Sequence, residues 1–227
     1  AATQADAPRL WDEATSNVCV DAEVGAKAAT AAAFARAAHI AKIDTWIQRV
    51  TGVPMEPRAA VGEYDPATLR YTLHAGSGGS VRLKKDLALI LDVPEANVRG
   101  LMDDVGGNFG TRGMIYPEFA LVPWAARRIG RPVKWTCERS EAFVSDFQGR
   151  DLAVTAELAL DAAGNFLAMR GSNIGNAGGH TGSFTPLQKG VEIMSSIYRM
   201  PCANFRARAV VSNTTPTRPY RSSGRPE

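Results

Sequence analysis

The sequence is poor in the residues that build protein-ligated metal sites and hydrolytic triads. Its 227 residues include three histidines and three widely separated cysteines, Cys19, Cys137 and Cys202, and no Cys-x-x-Cys, His-Glu-x-x-His or Gly-x-Ser-x-Gly pattern. These absences argue against a zinc site, a disulfide framework and a serine hydrolase, and we predict no metal held by side chains. Unpaired cysteines are typical of a reducing compartment, so we expect a cytoplasmic protein.

Long apolar runs and a strong charge imbalance are also missing. No apolar stretch reaches the roughly 18 residues that a membrane span needs, so we expect no such span. The net charge is only +3, with scattered basic residues, which does not indicate nucleic-acid binding. The sequence begins without Met and stops inside a motif, and we interpret it as a fragment of a longer protein.

Hydrophobic periodicity and turn residues predict an α+β fold, with mixed or antiparallel sheets and a few packed helices. Helices are predicted at residues 26–38, 81–91 and 117–129. Strands are predicted at 39–53, 59–64, 69–74, 96–102, 132–137, 152–160, 166–174 and 205–212. Residues 175–183, rich in Gly and Asn, are predicted to be a loop. We expect two subregions, 1–145 and 146–227.

The stretch around which the chain is organised is residues 103–113, which reads DDVGGNFGTRG. Its glycines allow sharp turns and a close approach to a ligand, and their N–H groups could face an anion. Phe109 is the only bulky side chain in the loop. It either anchors the loop in a core or stands over a ligand, and pattern alone does not decide between a packed structural loop and a binding loop.

A second glycine-rich turn, residues 76–80, precedes a predicted helix and raises the alternative of a Rossmann-type dinucleotide site. This alternative fits poorly, because the turn lacks the third glycine of the fingerprint. The preceding strand also alternates polar and apolar residues, unlike a strand buried on both faces.

Four stretches together resemble the molybdenum hydroxylases, the family of xanthine dehydrogenase and aldehyde oxidase that includes the large subunit of aerobic carbon monoxide dehydrogenase. Residues 105–110, VGGNFG, are similar to the family's GGGFG loop. Residues 54–60 resemble its MEPR segment, residues 130–135 its GRPVKW segment, and residues 220–227 its YRGAGRPE segment. The four occur in the family's order and cover the chain from about residue 15 onward.

The resemblance implies a molybdenum-pterin cofactor, which could carry a cytosine dinucleotide tail, and oxidation of aldehydes or N-heterocycles with oxygen from water. It implies iron–sulfur and flavin partners in the parent assembly and a small organic substrate. Since much of the cofactor cage would lie beyond this chain, we expect the isolated segment to bind no cofactor and to be inactive. By resemblance the cofactor-binding residues are Gly76, Gly106, Gly107, Asn108, Phe109 and Gly110, and the catalytic residues are Arg221 and Ser222.

Three departures from the family pattern affect these expectations. Ser222 occupies the position of the copper-bridging Cys of the carbon monoxide enzymes, and a hydroxyl is a poor ligand for Cu(I). Gly76 replaces the usual Gln of the first turn, and Asn108 replaces a Gly of the central loop. The family's catalytic Glu is not in this chain. An alternative is therefore a paralogue that has lost the cofactor and serves as a structural or binding module.

Overall fold

The structure is a computed structural model that describes residues 2–4 and 6–226. The strands are β1 (Val18–Gly25), β2 (His39–Ile47), β3 (Val50–Thr51), β4 (Ala59–Asp65), β5 (Arg70–Ala75), β6 (Val98–Leu101), β7 (Val133–Thr136), β8 (Gln148–Gly149), β9 (Leu152–Leu160), β10 (Phe166–Gly178) and β11 (Ala203–Val211). The helices are α1 (Lys27–Ala35), α2 (Ser80–Leu91), α3 (Pro117–Ile129), α4 (Arg139–Ser145) and α5 (Thr185–Ile193), with a 3-10 turn at Glu95–Asn97.

The chain forms two compact units, one from residues 1–50 and 148–227 and the other from residues 51–147. This division differs from the contiguous subregions expected from the sequence. The first 50 residues belong with the C-terminal part because β1 pairs with β11 and β2 pairs with β9. Long-range strand pairing of this kind leaves no local signal in the sequence.

The first unit, which combines the two ends of the chain, contains a five-stranded sheet in the order β1-β11-β10-β9-β2. The β10–β11 pair is parallel and the other pairs are antiparallel. Helices α1 and α5 contact the sheet. A core of buried side chains forms around α5 and the sheet: Leu152, Val154, Leu187, Val191, Phe205 and Ala207.

The second unit contains a four-stranded sheet in the order β6-β5-β4-β7, in which only the described β5–β6 pair is parallel. Helices α2 and α3 cover it with part of the apolar faces that their spacing predicts, burying Leu83 and Leu87 from α2 and Phe119 and Val122 from α3. Ile90 and Ile129, at the C-terminal ends of the same predicted faces, are exposed. Gly62 of β4 allows α3 to come close, since a Cβ there would lie 2.2 Å from the Pro123 backbone nitrogen.

The predicted α+β class is confirmed, and most predicted elements are present. Helix α3 begins at Pro117 and ends before Gly130, whose φ of +64° gives the expected left-handed stop. The prediction of a loop at 175–183 is wrong for residues 175–178, which continue β10. These residues remain in the sheet because β9, β11 and the segments next to them pair with them. Strand β1 and helices α4 and α5 were not predicted. Among the described residues, no helix is long and apolar enough to cross a membrane.

Candidate cofactor-binding loop and active-site segment

The central loop, residues 102–116, leaves the end of β6 and enters α3 within the second unit. It turns through positive φ angles of +120° at Gly107, +50° at Phe109 and +89° at Gly110. The positive φ of Gly107 and Gly110 explains why glycine is needed there, whereas the same region is strained for a bulky residue such as Phe109. The Phe109 side chain is 40% exposed, so it does not serve as a fully buried anchor.

Glu56, from the MEPR segment, holds the central loop at Gly106 through two hydrogen bonds. Its Oε2 accepts a 2.8 Å hydrogen bond from the Gly106 N–H, and its own N–H donates to the Gly106 carbonyl at 3.3 Å. A Cβ on Gly106 would lie 2.4 Å from the Glu56 Cβ. Glycine is therefore required at position 106 by the approach of Glu56, rather than by its own φ.

The Glu56 carboxylate also lies beside Gly76 of the first glycine-rich turn. A Cβ at Gly76 would be 3.0 and 3.1 Å from the two carboxylate oxygens. The carboxylate thus fills the space in which a longer side chain at position 76 would begin. The adjoining cleft of 160 Å³ is lined by Glu56, Ala59, Ala60, Val61, His74, Ala75, Gly76, Asp103, Asp104 and Lys134. With three carboxylates against one lysine, this cleft is unsuited to an anion.

On the central loop itself, hydrogen-bond donors are left without acceptors. Within the described part of the chain, the backbone N–H groups of Gly107, Asn108 and Phe109 donate no hydrogen bond. Asn108 Oδ1 accepts from the Gly110 N–H at 2.7 Å, but Asn108 Nδ2 is buried and has no partner among the described residues. Three free amides and one buried orphan donor fit an acceptor-rich anionic group such as a pterin phosphate cofactor.

A buried ionic cluster lies behind the loop. Arg58 donates to both Glu118 and Asp146, and Arg112, at the end of the loop, places Nη2 3.5 Å from Asp146 Oδ2. Arg58, Arg112 and Asp146 are each 3% exposed or less. Burial opposes the charge on Arg58, but its bond to Glu118 and the nearby carboxylates outweigh burial and raise the pKa of Arg58 above its ordinary value. Arg58 therefore pairs with these neighbours and not with Glu56.

Tyr116 lies at the C-terminal end of the loop, directly before α3. Its hydroxyl donates to the Thr111 carbonyl and accepts from the Phe147 N–H, both at 2.9 Å. Burial, the largest effect, raises the pKa of the Tyr116 hydroxyl far above its ordinary value, so the group stays protonated and can act as donor. The loop is fixed at Gly106 by Glu56 and at Thr111 by Tyr116, with the free amides between these two points.

In the first unit, Arg221 and Ser222 lie in a turn closed by a 3.0 Å bond from the Arg225 N–H to the Ser222 carbonyl. Both side chains are exposed, and Ser222 has a φ of +63°. Among the described residues, no carboxylate lies within ion-pair distance of Arg221. The structural ion pair that would compete with a substrate-binding role is therefore not found in the described part of the chain.

Residues 10–227 match the family model of the molybdopterin cofactor-binding domain. The chain belongs to this family. Its relatives include the gamma subunit of the 6-hydroxypseudooxynicotine dehydrogenase complex of Paenarthrobacter nicotinovorans, 38% identical over 200 residues, which are 86% of this chain and 25% of that protein. The carbon monoxide dehydrogenase large chain of Hydrogenophaga pseudoflava is 30% identical over 195 residues, 85% of this chain and 24% of that protein. The molybdenum hydroxylase resemblance is thereby confirmed, and the chain spans about a quarter of the length of these relatives.

Solved structures agree with this placement of the molybdopterin-binding domain. Quinoline 2-oxidoreductase from Pseudomonas putida 86 superposes with a TM-score of 0.89 at 27% identity, covering 96% of this chain and 28% of that one. The Cu,Mo-CO dehydrogenase in its carbon monoxide reduced state gives a TM-score of 0.87 at 26% identity, covering 96% and 29%. The fold of this chain is therefore that of one segment of such enzymes.

The structure gathers the predicted site residues into two places. Gly76 and the loop residues 106–110 lie together in the second unit, linked through Glu56. Arg221 and Ser222 lie in the first unit. The sequence did not predict the hydrogen bonds between Glu56 and Gly106 or the buried Arg112–Asp146 contact. Glu56, which lies between two prolines, is a visible feature of the sequence, but its partner Gly106 lies 50 residues away and cannot be inferred from it.

Proposed function

We propose that this chain is the part of a molybdenum hydroxylase that presents the cofactor-binding loop and the active-site Arg, in an enzyme that hydroxylates a small N-heterocyclic substrate, with aldehydes as the second substrate class. The observation that supports this most directly is the loop with three free amides and the orphan Asn108 Nδ2. A buried donor without a partner is costly, and an acceptor on a bound cofactor would remove that cost.

The relatives' names favour the N-heterocycle class. Nicotine 6-hydroxylase large subunit is 26% identical over 199 residues, and quinoline 2-oxidoreductase superposes closely. Nicotine and quinoline are both N-heterocycles.

In this proposal the chain's own residues hold and orient the cofactor and the substrate. The cofactor, when bound, supplies the metal and the two-electron chemistry. The amides of Gly107, Asn108 and Phe109 would hold anionic or carbonyl oxygens of the cofactor. Glu56 and Tyr116 would keep those amides in place, which avoids reorganisation when the cofactor binds. Phe109, half exposed at a strained φ, would form an apolar wall.

Arg221 would hold an acceptor atom of the substrate. A guanidinium forms charge-assisted bonds to a carbonyl or carboxylate oxygen, and no described carboxylate competes for it. Ser222 beside it offers a hydroxyl where copper would need a thiolate, so carbon monoxide oxidation is not part of the proposal. The proposal also includes iron–sulfur and flavin partners, a cytosine dinucleotide tail on the cofactor and a cytoplasmic location for the enzyme.

One observation favours a second candidate, a cofactor-free binding module. Position 76 has no side chain to offer a cofactor, and the Glu56 carboxylate takes up the adjacent space in a cleft of acidic character. Metal analysis separates the two candidates, because the module would contain no molybdenum when produced in its native host.

The test uses the enzyme that carries this segment, assembled with its partner subunits. We expect stoichiometric molybdenum and turnover of an N-heterocycle such as quinoline or a hydroxypyridine, with an aldehyde and carbon monoxide as comparison substrates. Arg221→Met should lower kcat/KM by about 10- to 150-fold, the loss of one charge-assisted bond. Arg206→Met, which removes an exposed Arg paired with Asp21, is the matched control and should leave kcat/KM unchanged.

Two results would contradict the proposal. Carbon monoxide turnover in the presence of Ser222 would overturn the substrate assignment. An Arg221→Met enzyme with unchanged kcat/KM on every organic substrate would remove the role of Arg221.

A further inference from the structure

The segment that precedes β9, residues 148–151, runs alongside the active-site segment 216–222 within the first unit. The Gln148 N–H donates to the Pro216 carbonyl at 3.1 Å, and the Arg218 N–H donates to the Gln148 carbonyl at 2.7 Å. Gly149 lies against Tyr220, since a Cβ at position 149 would be 2.2 Å from the Tyr220 Cβ. Backbone pairing and a glycine thus bring the two segments into close contact just before Arg221.

Arg150 continues this contact with its side chain. Its Nη1 donates to the Tyr220 carbonyl at 3.1 Å and its Nη2 to the Arg221 carbonyl at 3.0 Å. The guanidinium also lies over the Tyr220 ring, 5.1 Å from its centroid. These two bonds constrain the peptide groups on both sides of the Arg221 Cα, and the Arg221 side chain emerges from that atom.

This geometry requires an unusual backbone. Arg150 and Asp151 have consecutive φ angles of +64° and +68°, a region that non-glycine residues occupy only when their surroundings hold them there. Asp151 is held strongly. Its carboxylate accepts from Arg49 Nε at 3.0 Å, from Asn176 Nδ2 at 2.9 Å and from Trp46 Nε1 at 3.2 Å. Contacts from β2, from Arg49 after it and from β10 thus hold residues 150 and 151 in this strained conformation, which points the Arg150 guanidinium at the active-site segment.

We infer that Arg150 is a positioning residue, which sets the orientation of Arg221 by holding the Tyr220 and Arg221 carbonyls, and that the Asp151 contacts hold Arg150 in the conformation that does so. The inference rests on the proposed role of Arg221 in binding substrate. Arg150 itself touches the backbone of the segment, so its effect on catalysis passes through Arg221.

The experiment is a double-mutant cycle in the assembled enzyme. Arg150→Met should lower kcat/KM for the organic substrate by about tenfold, because the Arg221 side chain loses its fixed direction. In the Arg221→Met background the same change should cost less than about twofold, because the residue through which Arg150 acts is gone. An equal loss in both backgrounds would overturn the inference, since a purely structural role is independent of Arg221.

A second measurement does not depend on turnover. Amide hydrogen exchange of the peptide covering 218–226 should be at least about tenfold faster in Arg150→Met than in wild type, with molybdenum content unchanged. Arg206→Met, the control, should leave exchange in this peptide as it is. Arg150→Lys keeps the charge but cannot reach two carbonyls with fixed N–H groups, and we expect intermediate exchange. Unaltered exchange in both Arg150 variants would contradict the inference, whereas absence of turnover in wild type would contradict the proposed function alone.

Discussion

Replacing Gly107 by alanine tests whether the central loop depends on its backbone conformation. The φ of Gly107 is +120°, outside the left-handed region near +60° that an alanine can reach. Forcing alanine into such a conformation costs about 1–3 kcal/mol. The new Cβ would also lie 3.0 Å from Phe109 Cε2 and 3.1 Å from Pro54 Cβ, and overpacking adds about 1–3 kcal/mol. The midpoints sum to about 4 kcal/mol.

Gly130→Ala is the matched control in the same unit. Gly130 also has a positive φ, +64°, but it lies in the left-handed region and a Cβ there would meet nothing within 4 Å. Its replacement should cost only the left-handed penalty, about 1–2 kcal/mol. The difference between the two variants therefore isolates the crowding and the extreme φ at Gly107.

The assay is urea unfolding of the 227-residue chain, with hydrogen exchange used to assign the loss to the second unit. In the assembled enzyme, Gly107→Ala should also lower molybdenum content because the Asn108 amide moves, while Gly130→Ala should not. The reasoning would be refuted if the Gly107→Ala chain were no less stable than the Gly130→Ala chain. It would also be refuted if the Gly107→Ala enzyme kept its full molybdenum content although its loop had shifted.

Three further predictions concern the ionic cluster, the cysteines and the isolated segment. Asp146→Asn should lower the free energy of unfolding by about 3–5 kcal/mol, because Arg58 and Arg112 would lose a shared buried carboxylate. Urea unfolding measures this loss, and a value below about 1 kcal/mol would contradict the prediction. Burial raises the pKa of Cys137 to about 11. The folded state therefore keeps this proton longer than the unfolded state, so stability should fall as pH rises from about 9 towards 11, and in native protein iodoacetamide should modify exposed Cys19 before Cys137. The isolated 227-residue segment should fold but bind no molybdenum, and stoichiometric metal by elemental analysis would show that this expectation is wrong.

Sequence alone determined the family and most of the local elements. Apolar spacing in α2 and α3, the Pro117 start and the Gly130 stop depend on neighbours a few residues apart, and they were predicted within a residue or two. The four family stretches identified the molybdenum hydroxylases because their residue types are specific and occur in order. The sequence also predicts a positive φ at one or both of Gly106 and Gly107, since glycine adopts it readily, and the structure places it at Gly107.

Tertiary structure decided which distant residues meet. Strand β10 continues through residues 175–178 despite their Gly and Asn content, because pairing within the sheet overrides local propensity. Glu56 reaches Gly106 across 50 residues and Arg150 reaches Arg221 across 71, and nothing in the intervening sequence encodes those contacts. The division of the chain into units has the same cause. Strands β1 and β2 complete a sheet whose other strands come from the opposite end of the chain, and strands form the same hydrogen bonds whether they are near or far apart in the sequence.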